Sequence, residues 1–359
     1  MKAWDEVGVF AREVALYERL RDRGVTVSFI TYGNSEDLEY SGRLRKINIL
    51  CNRWGLSDGN YQRFLHLIHA KPLMSCDLIK TNQMNGADIA LRAAKFWKKP
   101  IIARCGYMWS FNEAKERGYD SIEAHNVRDL EAKVFDQADR SVVTTQTMLE
   151  DIVSRIPNIS ERARVIPNFV DDSIFCSLGN VQKRYDIIFV GRLSREKNIE
   201  ALLRAVKDID TKVLVIGKGP LQDLVINSSD SINGTIEWKK RVSNSELPNY
   251  FNASQLFVFP SLYENHPKAL IEAMSCGIPV IGADSPGIRE IIHHRDNGFL
   301  CGTDSESISS AIENLLANPD LCKNLGRNAR KYAVENFSLN GIFEMEYQLY
   351  NELLSERKF

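Results

Sequence analysis

The chain has 359 residues, 44% hydrophobic and 26% charged, with a formal net charge of -1. That length suggests two domains with sizeable cores, and the balanced charge exerts no global pull toward nucleic acid or acidic membranes. No charged n-region precedes an apolar h-region and no run of about 18 apolar residues occurs, so neither a signal peptide nor a membrane span is expected.

In chain order, MKAWDEVGVFAREVALYERLRDRG enters a helical pattern at once, with Val9, Val14, Leu16 and Leu20 as its apolar positions. A doubly wound domain normally opens with a strand ahead of that helix. None is present here. Either that strand has been lost by truncation, which is the expectation, or the sheet is built differently. From residue 25 short β-branched runs alternate with helical patterns. Strands are predicted at 25–33, 44–52, 77–83, 100–106, 141–146 and 163–168, with amphipathic helices at 86–97 and 124–139 among them. Near-continuously apolar strands alternating with helices imply a parallel sheet covered on both faces.

The rhythm restarts after PNFVDDSIFCSLGN (167–180), where Pro, Gly, Asn and Asp interrupt the pattern. Strands are predicted at 184–191, 211–217, 235–238, 254–261, 278–283 and 298–301, separated by helices IEALLRAV, SELPNYFNA, PKALIEAM, GIREII and SESISSAIENLLANP. One or two long helices close the chain over 337–359. The expected organisation is therefore two doubly wound α/β domains, 1–170 and 180–336, with the closing helix 337–359 packing back on the first.

Seven cysteines (51, 76, 105, 176, 276, 301 and 322) are scattered, odd in number and never in a C-x-x-C pair. That excludes a disulfide framework and the common zinc spacings, and points to a cytoplasmic protein. Four N-x-S/T matches, at Asn158, Asn227, Asn233 and Asn252, are then chance occurrences.

Three stretches carry chemistry. GRLSREKN (191–198) follows the first strand of the second domain and precedes a helix. Ligands bind at the carboxyl ends of strands in such folds, and Arg192 and Lys197 supply two cations suited to a diphosphate. A solvated surface turn is the competing reading. VIGKGP (215–220) is a weaker strand–glycine turn without the G-x-G-x-x-G spacing of dinucleotide binders, which disfavours a dehydrogenase.

YENHPKALIEAMSCGIPV (263–280) is more specific. Pro267 suits a helix start and Gly277 a helix end. Glu264 falls in the turn before that helix, and Glu272 lies inside it among apolar neighbours. A buried carboxylate must have partners: a vicinal diol such as a ribose could supply them, or an internal amide or arginine could. Together, sites for a diphosphate, a ribose and a further polyol ask for a nucleotide sugar.

In these motifs, and in IPNFVD (166–171) and DNGFL, the chain resembles retaining family-4 glycosyltransferases (glycosyl transferases group 1) of the GT-B fold, in which two Rossmann-like domains face each other across a cleft. The match covers most of 185–300; the first half agrees in pattern only. The resemblance implies catalytic duty for Arg192, Lys197 and Glu264. It implies donor binding by Gly191, Arg192, Lys197, Trp238, Lys239, Glu264, Asn265, His266, Pro267, Lys268 and Glu272. In that scheme the cations hold the diphosphate, Glu264 meets the donor sugar, Glu272 is buried because ribose satisfies it, and the loop 238–242 lies beside the base. It implies no metal and no other cofactor; the lone D-x-D, Asp208–Asp210, reads as a solvated turn. Expected partners are a nucleotide-sugar donor, UDP-linked by preference, and a glycan or lipid-linked saccharide acceptor, with no nucleic acid.

Two departures stand out. Many relatives carry a His after the fourth strand of the first domain, where ARCGYMW (103–109) offers Arg104, Cys105 and Tyr107; His125 is a nearby substitute or a helix-start residue. Lys240 stands where relatives usually have Gly. The alternatives are therefore a nucleotide-sugar binder with little turnover and a nucleotide-sugar 2-epimerase of the same fold. Basic–aromatic stretches at 44–54 and 92–100 are either ordinary charged surface or a peripheral contact with the inner face of a membrane.

Overall fold

The computed structural model describes residues 1–179, 181–231 and 236–356. Outside them lie Asn180, where the second domain was expected to begin; Asn233 of an N-x-S/T match; Thr235, which opens the expected strand 235–238; and the last three residues of the expected closing helix 337–359. Contacts divide the chain into two compact units. One comprises Met1–Ala3, Val14–Pro167 and Phe343–Phe359; the other comprises Trp4–Glu13 and Asn168–Ile342. The expectation of a first domain 1–170 joined by the closing helix 337–359 thus misses Trp4–Glu13, 168–170 and 337–342, which belong to the second unit.

In the first unit, β1 (Ser28–Asn34) pairs with β2 (Asn48–Asn52), and a separate sheet runs β3 (Ile79–Lys80), β4 (Ile101–Cys105), β5 (Arg140–Val143), β6 (Ala163–Val165). Every pairing is parallel. Among the described residues no strand precedes the helices Lys2–Val7 and Phe10–Asp22, which break at Gly8. The core gathers Ile101, Ala103, Val143, Phe135 and Ile152. No described helix is long and apolar enough to cross a membrane. Trp54 and Phe96, from the basic–aromatic stretches, are exposed.

From Phe343 onward the closing helix Leu339–Glu356 belongs to this unit, which holds it through a buried polar knot. Lys80, at the end of β3, ion-pairs with Glu346, which also accepts from Tyr350 Oη, while Arg104 Nε lies 3.9 Å from the same carboxylate. Burial pushes the Lys80 ammonium below its ordinary value. Burial would push the Glu346 carboxyl up, but Lys80 and Arg104 outweigh it and hold it below.

The second unit is a six-stranded parallel sheet: β7 (Tyr185–Val190), β8 (Val213–Ile216), β9 (Ile236–Lys239), β10 (Ser254–Phe259), β11 (Val280–Ala283) and β12 (Phe299–Cys301). Its spatial order is β12-β11-β10-β7-β8-β9. Numbered within the unit this is the 3-2-1-4-5-6 arrangement, which reverses direction between the first and fourth strands. β7, β8, β10 and β11 are buried along nearly their whole length, as strands covered on both faces must be. Stacked Phe257 and Phe259, with ring centroids 5.5 Å apart, fill the centre. GIREII forms turns rather than a helix. Gly287 opens it at φ +79°, and Ile288, Ile291 and Ile292 are all drawn into the core. Asp208 and Asp210 are exposed in the turn leading into β8, at the amino end of the sheet.

Replacing Glu346 with Leu leaves the Lys80 ammonium buried beside Arg104 without its main counter-charge, and should cost about 3–5 kcal/mol in urea unfolding. The double change Lys80→Met with Glu346→Leu should recover most of that loss. Because the folded Glu346 carboxyl is held low, its stabilisation is present above the ordinary carboxylate range and fades as pH falls through the depressed value.

Candidate functional site

The reversal of strand order puts the loops after β7 and β10 side by side at the carboxyl edge, where open α/β sheets take their ligands. These are the two loops that hold GRLSREKN and YENHP. They are stitched together by one main-chain bond and one side-chain bond: Leu262 N donates to Glu196 O at 2.8 Å, and the Asn198 side chain donates through Nδ2 to Pro260 O at 3.2 Å. Asn198 has φ +54°, a conformation that asparagine tolerates better than most residues. Lys197 reaches across to ion-pair with Glu264, its Nζ 5.3 Å from the centre of the Phe259 ring. Arg192 is exposed in the same loop, directly after Gly191.

Glycines let neighbouring loops approach this pair. A Cβ on Gly217 would lie 1.8 Å from Gly191 O, and one on Gly219 would lie 2.3 Å from Leu193 O. The glycines of VIGKGP therefore serve close backbone contact with the loop after β7. A Cβ on Gly287 would lie 2.2 Å from Glu264 O, and Glu264 N donates to Pro286 O at 3.0 Å. Sequence reasoning did not single out Gly287; it supports the turn that presents Glu264.

The helix after β10 runs Lys268–Ser275, with Pro267 as its N-cap. It ends in a paired cap: Gly277 N donates to Met274 O at 2.9 Å and Ile278 N to Ala273 O at 3.4 Å, with Gly277 at φ +76°. Asn168 of IPNFVD donates to His266 O at 2.8 Å and so holds the loop's main chain. The His266 ring is buried edge-on against Phe337, 4.9 Å between centroids.

Glu272 is 1% exposed. Of the two partners that sequence left open, the structure supplies internal ones. Arg12 Nη1 donates to Oε1 at 2.9 Å, and Asn244 Nδ2 donates to the same oxygen at 3.0 Å. Burial would lower the Arg12 guanidinium, but the facing Glu272 and Glu13 carboxylates outweigh it and hold it above its ordinary value. Glu13 Oε1 lies 2.5 Å from Lys268 Nζ. Neither Arg12, Glu13 nor Asn244 was among the expected site residues. A buried acid announces that some cation is needed, but no local pattern says which one 260 residues away supplies it.

The expected base-side residues are otherwise engaged. Trp238 Nε1 donates to Gly217 O at 2.9 Å. Lys239 pairs with Glu237 at 2.7 Å, and its hydrogen bond to Glu237 raises its pKa. Lys240 is exposed. In the first unit the loop after β4 is held by buried Glu131, which accepts from Ser110 N at 3.0 Å; burial raises the Glu131 carboxyl. His125 Nδ1 meets Ser121 O at 2.9 Å, a local contact at the helix start.

Comparison with known proteins covers both halves. A family model described as glycosyltransferase family 4 matches residues 8–174, and one described as glycosyl transferases group 1 matches residues 170–332. N-acetyl-alpha-D-glucosaminyl L-malate synthase of Bacillus anthracis is 25% identical over 54% of this chain and 55% of its own length. D-inositol 3-phosphate glycosyltransferase of Gordonia bronchialis is 26% identical over 73% of this chain and 63% of its own. The matched stretches thus span between about half and two thirds of these relatives. Among solved structures, sucrose-phosphate synthase of Thermosynechococcus elongatus superposes with a TM-score of 0.79 at 22% identity, covering 95% of this chain and 92% of that one. Anabaena HepE in complex with UDP gives 0.74 at 16%, covering 94% of each. These structures share the fold.

Gly287→Ala combines a strained φ with a backbone clash under Glu264. It should destabilise the protein by roughly 1–3 kcal/mol, read as a lowered thermal midpoint. An unchanged midpoint would show that the turn relaxes freely.

Proposed function

Since the chain belongs to glycosyltransferase family 4 and has the GT-B fold, we propose that it moves a sugar from a UDP-sugar to a saccharide acceptor with retention of configuration. The observation that carries this reading is the meeting of Lys197 and Glu264 at the strand-order reversal, with Arg192 exposed in the same loop as Lys197. An ammonium has three donors, and Glu264 takes one, leaving others for phosphate oxygens. Arg192 can grip two oxygens at once. UDP is the nucleotide in the HepE complex, which supports a uridine donor.

The chemistry follows from that placement. As the bond between the sugar's anomeric carbon and the diphosphate breaks, its electron pair passes to the phosphate oxygen. Arg192 and Lys197 stabilise the growing negative charge in fixed positions. The acceptor hydroxyl bonds to the anomeric carbon on the face the diphosphate leaves, and its proton passes to the departing phosphate. Retention then needs no carboxylate nucleophile. Glu264 orients the donor sugar's hydroxyls, and Glu272 accepts from the ribose. The two cations do the work a metal would do at the diphosphate.

Incubation with UDP-glucose and UDP-N-acetylglucosamine and a panel of saccharides, with chelator present, should give an α-linked product by proton NMR. Free donor epimerised at C2, or donor bound and returned unchanged, would replace this reading with the epimerase or the binder. Lys197→Ala and Arg192→Ala should each weaken UDP binding by about 1.5–3 kcal/mol in calorimetry. Unaltered affinity in both would remove the diphosphate assignment.

A further inference from the structure

Glu272 sits in a helix whose residues from Leu270 to Ser275 are all buried. Its two donors, Arg12 Nη1 and Asn244 Nδ2, both end on Oε1. Among the described residues no side chain donates to Oε2. An arginine that merely neutralises a carboxylate can take both oxygens with its fork. Arg12 instead approaches one of them, and a neutral amide doubles on the same atom. The second oxygen thus keeps acceptor capacity for a further donor.

The geometry that produces this is fixed on several sides. Lys268 and Glu272 are four apart on one helix, spacing at which a lysine and a glutamate pair directly. Glu13 draws Lys268 away, its Oε1 lying 2.5 Å from Lys268 Nζ and 3.4 Å from Arg12 Nε. The cation left to meet Glu272 is therefore the planar guanidinium. Its segment is tied to the loop after β9: Asn244 N donates to Gly8 O at 3.2 Å, and Arg241 donates to Asp5 O. Gly8 has φ +82°, and a Cβ there would lie 3.3 Å from Val242 O. Asn244 thus grips the N-terminal segment with its main chain and Glu272 with its side chain.

We propose that Arg12 and Asn244 are positioning residues: by occupying Oε1 together they turn Oε2 of Glu272 toward the ribose diol of the donor. This rests on the reading of Glu272 as the ribose acceptor. It assigns the segment Trp4–Glu13 a part in nucleotide recognition that buried charge neutralisation alone would not require.

The test compares UDP with 2′,3′-dideoxy-UDP by calorimetry. The wild-type protein should prefer UDP by about tenfold to a hundredfold, the range for a hydrogen bond to a charged group. In Arg12→Met that ratio should fall toward one, while affinity for the dideoxy nucleotide is kept. If Arg12→Met does not fold, Arg12→Lys keeps the charge without the guanidinium geometry and Asn244→Ala removes the neutral donor; the ratio must fall in both. A wild-type preference that survives in the variants overturns the proposal. No wild-type preference removes the ribose role of Glu272 and the proposal with it. No binding of UDP at all overturns the donor reading itself.

Discussion

The contact between Arg12 and Glu272 is the constraint on which much of the second unit depends. A carboxylate on a helix stretch that is buried from Leu270 to Ser275 needs polar partners, and here a guanidinium and a neutral amide supply them. Meeting that demand fixes three remote pieces of chain at one atom: the helix after β10, the loop after β9 and the segment Trp4–Glu13. Removing the charge altogether would give a better apolar helix, so its presence reflects a constraint other than packing.

The remaining architecture serves the same edge of the sheet. The strand-order reversal between β7 and β10 brings two cation- and acid-bearing loops together, and the Leu262–Glu196 main-chain bond and the Asn198 side chain join them. Gly217, Gly219 and Gly287 remove side chains where backbones must touch. Lys197 and Glu264 hold each other in place, so neither waits as an isolated charge. The site is therefore preorganised by ordinary fold requirements.

Much of this was legible in the sequence because it is local. Near-continuously apolar strands alternating with amphipathic helices gave the parallel α/β class, and motifs at strand ends marked the loops after β7 and β10 without any tertiary knowledge. What escaped was long-range. Arg12 and Asn244 look like ordinary polar residues in their own segments, and only the folded chain makes them the partners of Glu272. GIREII carries a helical apolar pattern, but packing of its isoleucines and the Gly287 turn override that propensity. The pairing of Lys239 with Glu237 and of the Trp238 indole with the Gly217 carbonyl was likewise not legible in the motif.

The most direct test of the central claim is hydrogen–deuterium exchange with and without UDP. The account predicts slowed exchange in residues 191–198 and 263–268 together, because both loops close on one diphosphate. Protection confined to one of them, or located elsewhere in the chain, would contradict it.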